Sequence, residues 1–429
     1  MTSGTVSYRA VMTETPHAAA AHALRRLTFG PTAELVERFG AEGPAALGAA
    51  TDFALNAPGL SIQPERATKD EWDPVLNGWV QNLRDPLGGV HEKLTWFWHS
   101  HFAVSAVKVG NQAIMHGQQR LFRDHALGNF RELLRSVIHD PAMLLYLDAN
   151  YSNVSAPNEN LSRESMELFT LGRDQYTEAD VKAGALVLAG FEVDYETATV
   201  RFNEEAALGG EVVLLGRRGR LRADDLVDVL CEHPACAPFI AGKLFRYFVG
   251  EAPSDQRLAE LAGGFGSSGL EIRPLVEAIV RGPEFANVRL NRPRYAIEWF
   301  TAALHAIGPF REDQDQNIWP WTLEQLDQLP GQPPNVAGWP SGSRWLSASQ
   351  QLTRAAYTWA VSERMQPVDA RGGSLVDAVI ERCSLHQISA ASRATLEQAA
   401  IAVAGAADAL SVSRRLMTAA VTTPEFALA

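Results

Sequence analysis

Apolar residues recur along most of this chain at intervals of three and four, the spacing that gathers them on one face of a helix. The pattern predicts helices over residues 18–28, 33–40, 71–84, 90–104, 111–126 and 130–138. Further helices are expected over 159–171, 178–189, 223–231, 236–248, 272–281, 293–306, 346–361, 393–404 and 409–421. One stretch breaks the rule. From Phe191 to Gly216 the segments FEVDYETATVRF and EVVLL alternate or run apolar with strand-forming residues, and Gly209-Gly210 separates them. That reads as a small β-hairpin or three-stranded flap over 191–216, inserted into a helical body. The expected fold is therefore mainly α, a multi-helix bundle-like body with a β flap.

With 429 residues, the chain exceeds the roughly 250–300 residues at which single cores stop growing. It is one large helical unit or two lobes, an N-terminal lobe over 17–190 and a C-terminal lobe over 217–429. Residues 308–342, rich in Pro, Gly, Trp and Gln, form a segment far longer than the median connection of about 4–6 residues. Trp319, Trp321, Trp339 and Trp345 would give it an aromatic framework. A short echo links Glu277–Ala286 and Met417–Ala427, each a helix followed by Pro-Glu-Phe-Ala. The proline stops the preceding helix, so the echo reads as one helix-ending solution used twice, or as a duplicated half-domain.

Composition narrows the function classes more than the fold. The net charge of −12 disfavours nucleic acid as a partner, because phosphate binding needs clustered Lys and Arg. Cys231, Cys236 and Cys383 match no zinc-ribbon or redox spacing, and three is a poor disulfide framework. Met1 to Pro16 holds no apolar run of signal-peptide length, and nothing approaches the ~18–20 apolar residues of a membrane span. The chain reads as cytoplasmic.

Two stretches carry candidate chemistry. In Leu94-TWFWHSHF, the residues Leu94, Phe97, Trp98, His101 and Ser105 share one helical face, which places His101 inside an aromatic stripe. His99 lies round the helix, near Thr95 and Phe102, and is expected to be less buried. Two histidines at i, i+2 do not face each other on a helix, so they would share one ion only if the helix ended there. In Pro157-NENLSRESMELFTLG, Asn158 is a candidate cap and Gly172 a candidate left-handed terminus. Glu159, Arg163 and Glu167 stand at i, i+4, i+8, an ion-pair ladder. Glu164 projects among Leu161, Leu168 and Leu171, where a carboxylate must be paired, protonated or metal-bound.

A buried His on one helix and carboxylates on another could build a site in a bundle core. His101, Glu164 and Glu167 are the candidate catalytic residues and metal ligands, with His99, Asn158, Glu159 and Arg163 as auxiliary groups. Such ligands suit iron, manganese or zinc, although the Glu-x-x-His pair of di-iron bundles is missing. A metal-free acid–base site is the alternative. His-Glu-x-x-His, a phosphate loop and a Gly-x-Ser-x-Gly elbow are absent. Ser105-Ala106-Val107-Lys108 fits Ser-x-x-Lys without its companion motifs, Arg217 to Arg220 reads as a solvated basic turn, and His233-Pro234 as the start of a helix.

Several stretches together carry a resemblance from about His22 to Ala427. They are LRRLTFGPT (Leu24–Thr32), FWHSHF, FRDHALGNFRELL (Phe122–Leu134), DPAMLLYLD (Asp140–Asp148), PNENLSRESMELFTLG, YTEADV (Tyr176–Val181), HPACAPFIAGKL (His233–Leu244) and PPNVAGWPSGSRW (Pro333–Trp345). The chain resembles the bacterial domain-of-unknown-function 1800 family. The resemblance implies a helical fold without an assigned activity. It also implies a partner of the 1501 family, similar to phosphatases and sulfatases, with export in complex with it. In that family a His-Asp pair usually follows Phe202, and Lys-Thr precedes Leu-Gly. Here Asn203-Glu204 and Val212-Val213 stand in those places, and the region around Gln332-Pro333-Pro334 is shortened. Two functions follow: an enzyme with a His/Glu site in a helical core, or a non-enzymatic accessory protein whose Trp-rich loop meets the partner.

Overall fold

The computed structural model describes residues 15–61, 72–207, 209–308, 319–370, 372–402 and 408–429. Helices dominate them. The periodic stretches close into helices because each supplies an apolar face, and several add a start signal. In Phe130–Ile138, Asn129 accepts from the backbone N–H of Arg131 at 3.0 Å, capping the first turn. Phe130, Leu133, Leu134, Val137 and Ile138 are then all buried on one face, each worth about 1.5–3 kcal/mol for a large apolar side chain. Helix Glu178–Val187 starts with a capping box. Asp180 accepts from the Thr177 N–H at 2.9 Å, and Thr177 Oγ1 accepts from the Asp180 N–H at 3.3 Å.

Each Pro-Glu-Phe-Ala segment begins a new short helix rather than only ending the old one. Pro283 opens Pro283–Asn287 after Ile272–Val280, and Pro424 opens Pro424–Ala427 after Ala409–Val421. Proline suits the first helical position, where no intrahelical N–H bond is lost.

The expected flap is two separate antiparallel hairpins. Strand β1 (Phe191–Asp194) pairs with β2 (Thr199–Phe202), Phe191 opposite Phe202. Strand β3 (Val212–Leu214) pairs with β4 (Arg217–Gly219), Val212 opposite Gly219. The second hairpin takes in the basic run, so Arg217 and Arg218 are strand residues and not a free turn. Asp180 holds this hairpin to the helical body, its Oδ1 accepting from the Leu215 N–H at 2.7 Å.

The described residues group into two compact units, neither continuous in sequence. Unit 1 draws on Met1–Phe53, Arg289–Leu326 and Gly342–Ala429, and unit 2 on Ala54–Val288 and Asp327–Ser341. Among the described residues no helix is long and apolar enough to cross a membrane. Of the 308–342 segment, 309–318 lie outside the described residues; Trp319–Gln325 is helical.

Candidate functional site: a histidine–lysine pair at a π-helical turn

Both histidines of the FWHSHF stretch belong to unit 2, at the end of helix Gly89–His101. The helix stops at His101, three residues earlier than the spacing predicts. The two rings nevertheless diverge. His99 is not the more exposed of the pair: it is 3% exposed and His101 5%. The reason is the Asp327–Ser341 segment, which the periodicity could not place beside this helix.

That segment covers His99. The Gly331 N–H donates to His99 Nε2 at 3.0 Å. Trp339 lies over the same face, its ring centroid 5.2 Å from His99 and 5.3 Å from Trp96. Gly338 makes the approach possible. It has φ +80°, and a Cβ there would sit 2.1 Å from the Ser100 carbonyl oxygen. Burial among these rings lowers the His99 pKa to about 3, so the ring is a neutral acceptor fixed inside an aromatic box.

His101 turns toward the other motif. Its Nε2 is 3.0 Å from the Phe169 carbonyl oxygen, and its Nδ1 is 2.9 Å from Lys243 Nζ. A carbonyl can only accept, so Nε2 carries the proton and Nδ1 accepts from the lysine. Lys243 Nζ also donates to the Leu168 carbonyl at 3.2 Å and lies 4.8 Å from the Phe239 ring centroid. Burial lowers the Lys243 pKa to about 8. Burial, then the nearby lysine charge, hold His101 well below the usual histidine range, against the opposing bond to Phe169. Near neutral pH the pair therefore holds one proton more than the neutral ring, and it sits on the lysine.

The acceptors are available because of how the second motif is wound. Asn160–Glu164 is α-helical and Ser165–Thr170 continues it as a π-helix, marked by the Leu171 N–H to Met166 carbonyl bond at 2.8 Å. Gly172 ends the turn at φ +85°, against the Phe239 ring. The last carbonyls of a helix lack intrahelical partners, and those of Leu168 and Phe169 take Lys243 and His101. π turns occur often at functional sites.

The wider winding also redistributes the acidic residues. Arg163 bonds Glu159 at 3.1 Å, as the ladder predicts, but its other partner is Glu178 at 2.7 Å and not Glu167. Glu167 accepts from Arg173 at 2.9 Å and from the Tyr176 hydroxyl at 2.6 Å. These bonds lower its pKa, while burial and then Glu167 raise the pKa of half-buried Glu164. Among the described residues Glu164 has no hydrogen-bond or ion-pair partner. Asn158 accepts from the Asn160 N–H at 2.9 Å, but the cap position falls one residue later, on Glu159, whose side chain makes no capping bond.

His101, Glu164 and Glu167 are thus not joined as a ligand set. Both ring nitrogens of His101 are engaged, Glu167 is held by Arg173 and Tyr176, and no bond links His101 to Glu164. Among the described residues no group of three or more His, Cys, Asp or Glu side chains could hold a metal ion. The remaining sequence candidates have local partners: Lys108 bonds Asp148 at 2.8 Å, and His233 Nδ1 accepts from the Ala235 N–H at 3.2 Å. At the altered flap, Asn203 donates to Glu192 at 2.7 Å and Glu204 pairs with Arg222 at 2.8 Å, while Val212 and Val213 are strand residues of β3.

Lys243 is the residue that the spacing argument passed over. It stands with Cys236, Phe239 and Tyr247 at i, i+3, i+7 and i+11 along one side of helix Cys236–Val249. A lysine among aromatic residues on such a face is a legible anomaly.

The fold and the site define a mainly helical protein with a buried His–Lys pair seated on a π-helical turn. Residues 22–428 match the family described as "Protein of unknown function (DUF1800)", and the chain belongs to it. No curated protein and no solved structure matches the chain.

Proposed function

We propose that this protein is an acid–base enzyme whose titrating group is the Lys243 amine, set by His101. The observation that carries this reading is the 2.9 Å Lys243 Nζ to His101 Nδ1 contact, closed on its far side by Phe169. A lysine brought to about 8 by burial supplies free amine and ammonium together at working pH, the condition for efficient proton transfer. His101 is the positioning residue, and Glu164, its carboxyl unpaired and its pKa raised, is the second proton-carrying group, on the helix that runs into the π turn. The metal-dependent form of this idea would require His101 to surrender one of its two bonds.

The test is a panel of ester, amide and carbonyl substrates, run on the wild type and on Lys243→Met across pH. An activity that follows one ionisation near pH 8 and disappears in the variant supports the proposal. An activity that survives Lys243→Met sinks it.

One observation favours a second reading. Every polar partner of Lys243 is internal, and two buried donors close a helix C-terminus, which is what a purely structural latch would also do. In that reading the chain is an accessory protein pairing with a phosphatase- or sulfatase-like partner of the 1501 family. Of the tryptophans assigned to its interface, Trp339 and Trp345 are buried and Trp321 is exposed. Lack of turnover, together with a tight complex with such a partner that Trp321→Ala weakens, would favour it.

A further inference from the structure

Unit 1 contains a feature that the His–Lys site does not use. Five arginines are buried in it: Arg25, Arg26, Arg292, Arg294 and Arg354. Among the described residues, two carboxylates are buried with them, Glu298 and Glu425. Glu298 is committed to Arg292 through two parallel bonds of 2.9 Å. Glu425 accepts from the Ser389 N–H at 3.1 Å and the Ser392 hydroxyl at 2.8 Å. Neither carboxylate is thus bonded to Arg25, Arg294 or Arg354.

Arg354 is the clearest case. It lies on helix Ala348–Val361 and is 0% exposed. Neither Nε nor either Nη of its guanidinium has a hydrogen-bond partner. Its one compensating contact is the face of Trp299, 5.2 Å from ring centroid to Cζ. Arg294 repeats the pattern on Phe426 at 4.7 Å, with Nη1 unpartnered. Arg25 reaches the Ser384 carbonyl, but its Nε has no partner. Arg25, Arg292 and Arg354 each act on the charge of Arg294, so these groups share one neighbourhood.

A guanidinium does not shed its proton in proteins, so neutralisation is no escape. Leaving a buried charge without acceptors is among the costliest arrangements a fold can contain. Guanidinium forks match tetrahedral oxyanions, whose oxygens accept several N–H bonds at once. We propose that unit 1 binds a small oxyanion of the phosphate or sulfate class, held by Arg354, Arg294 and Arg25. The aromatic faces of Trp299 and Phe426 fix the planes of two of the guanidinium groups, leaving their N–H edges for the anion.

The experiment is thermal unfolding of the full chain in chloride, inorganic phosphate and sulfate at matched ionic strength, beside Arg354→Met. The wild type is expected to melt at least about 2–4 °C higher in one of the two oxyanions than in chloride, since each kcal/mol is worth about that much in a unit of this size. Whichever of phosphate and sulfate gives the larger shift identifies the class. Arg354→Met should melt at or above the wild type in chloride, because it removes an unpaired charge, and its oxyanion shift should vanish. Equal melting in all three salts overturns the proposal, as does a shift that Arg354→Met retains. Should Arg354→Met not fold, equilibrium dialysis of the wild type against labelled phosphate and sulfate decides: about one equivalent bound supports the site, and none overturns it.

Discussion

At the scale of single residues, this protein turns on where one buried cation gets its acceptors. Lys243 finds a ring nitrogen and a helix-terminal carbonyl, and burial brings its pKa to about 8. The sign of the resulting pH dependence follows from proton counting. Between pH 8 and the ordinary lysine value of 10.5, the unfolded chain binds more protons than the folded one, so stability rises with pH in that window. Denaturant titrations at pH 7.5 and pH 10 should show this rise in the wild type and lose it in Lys243→Met. A variant with the same pH slope as the wild type would place the ionisation elsewhere. His101→Ala removes an acceptor from Lys243 and a donor from Phe169; it should cost about 2–4 kcal/mol in urea unfolding. The sequence made His101 visible because a polar residue interrupted an aromatic stripe. Lys243 interrupts a stripe in the same way, but side-chain partners distant in sequence leave no mark on a helical wheel.

At the scale of elements, every periodic stretch named is helical, since apolar spacing and capping residues act locally, but Ala46–Leu55, Asp255–Ser267 and Leu375–Arg382 went unread. The winding of 165–170 escaped as well. A wheel drawn at 3.6 residues per turn puts Glu167 on the Arg163 side, whereas the π turn swings it to Arg173 and Tyr176. Alternation located the flap but could not assign the pairs, so the hairpin or three-stranded flap expected over 191–216 is two hairpins, the second reaching Gly219. Two glycines should be intolerant of change. Gly172→Ala combines φ +85° with a Cβ 3.2 Å from the Phe239 ring and should cost about 1–2 kcal/mol. Gly338→Ala is harsher, because its Cβ would meet backbone oxygen at 2.1 Å. Its tryptophan fluorescence should report loss of the Trp339 stack on Trp96, and an unchanged spectrum and melting point would contradict that packing.

At the scale of the whole molecule, helices far apart in sequence assemble into units that chain order does not announce. Residues 327–341 join unit 2 from across the chain, bringing Trp339 and Gly331 to His99. Nothing in the spacing of the FWHSHF and PPNVAGWPSGSRW stretches announces that they meet. The engaged nitrogens of His101 carry a further expectation. Untagged protein purified without chelators should hold no stoichiometric iron, manganese or zinc, and Glu164→Gln should not change its metal content. Near-equimolar metal that falls in the variant would restore the metal-site reading.

The most direct measurement is the ionisation of Lys243 itself, followed by NMR on reductively ¹³C-methylated protein with Lys243→Arg used to assign the signal. The account predicts a midpoint near pH 8, returning toward the ordinary lysine value of 10.5 in a denatured sample. A Lys243 signal that titrates with the exposed lysines in the folded protein would contradict the acid–base site.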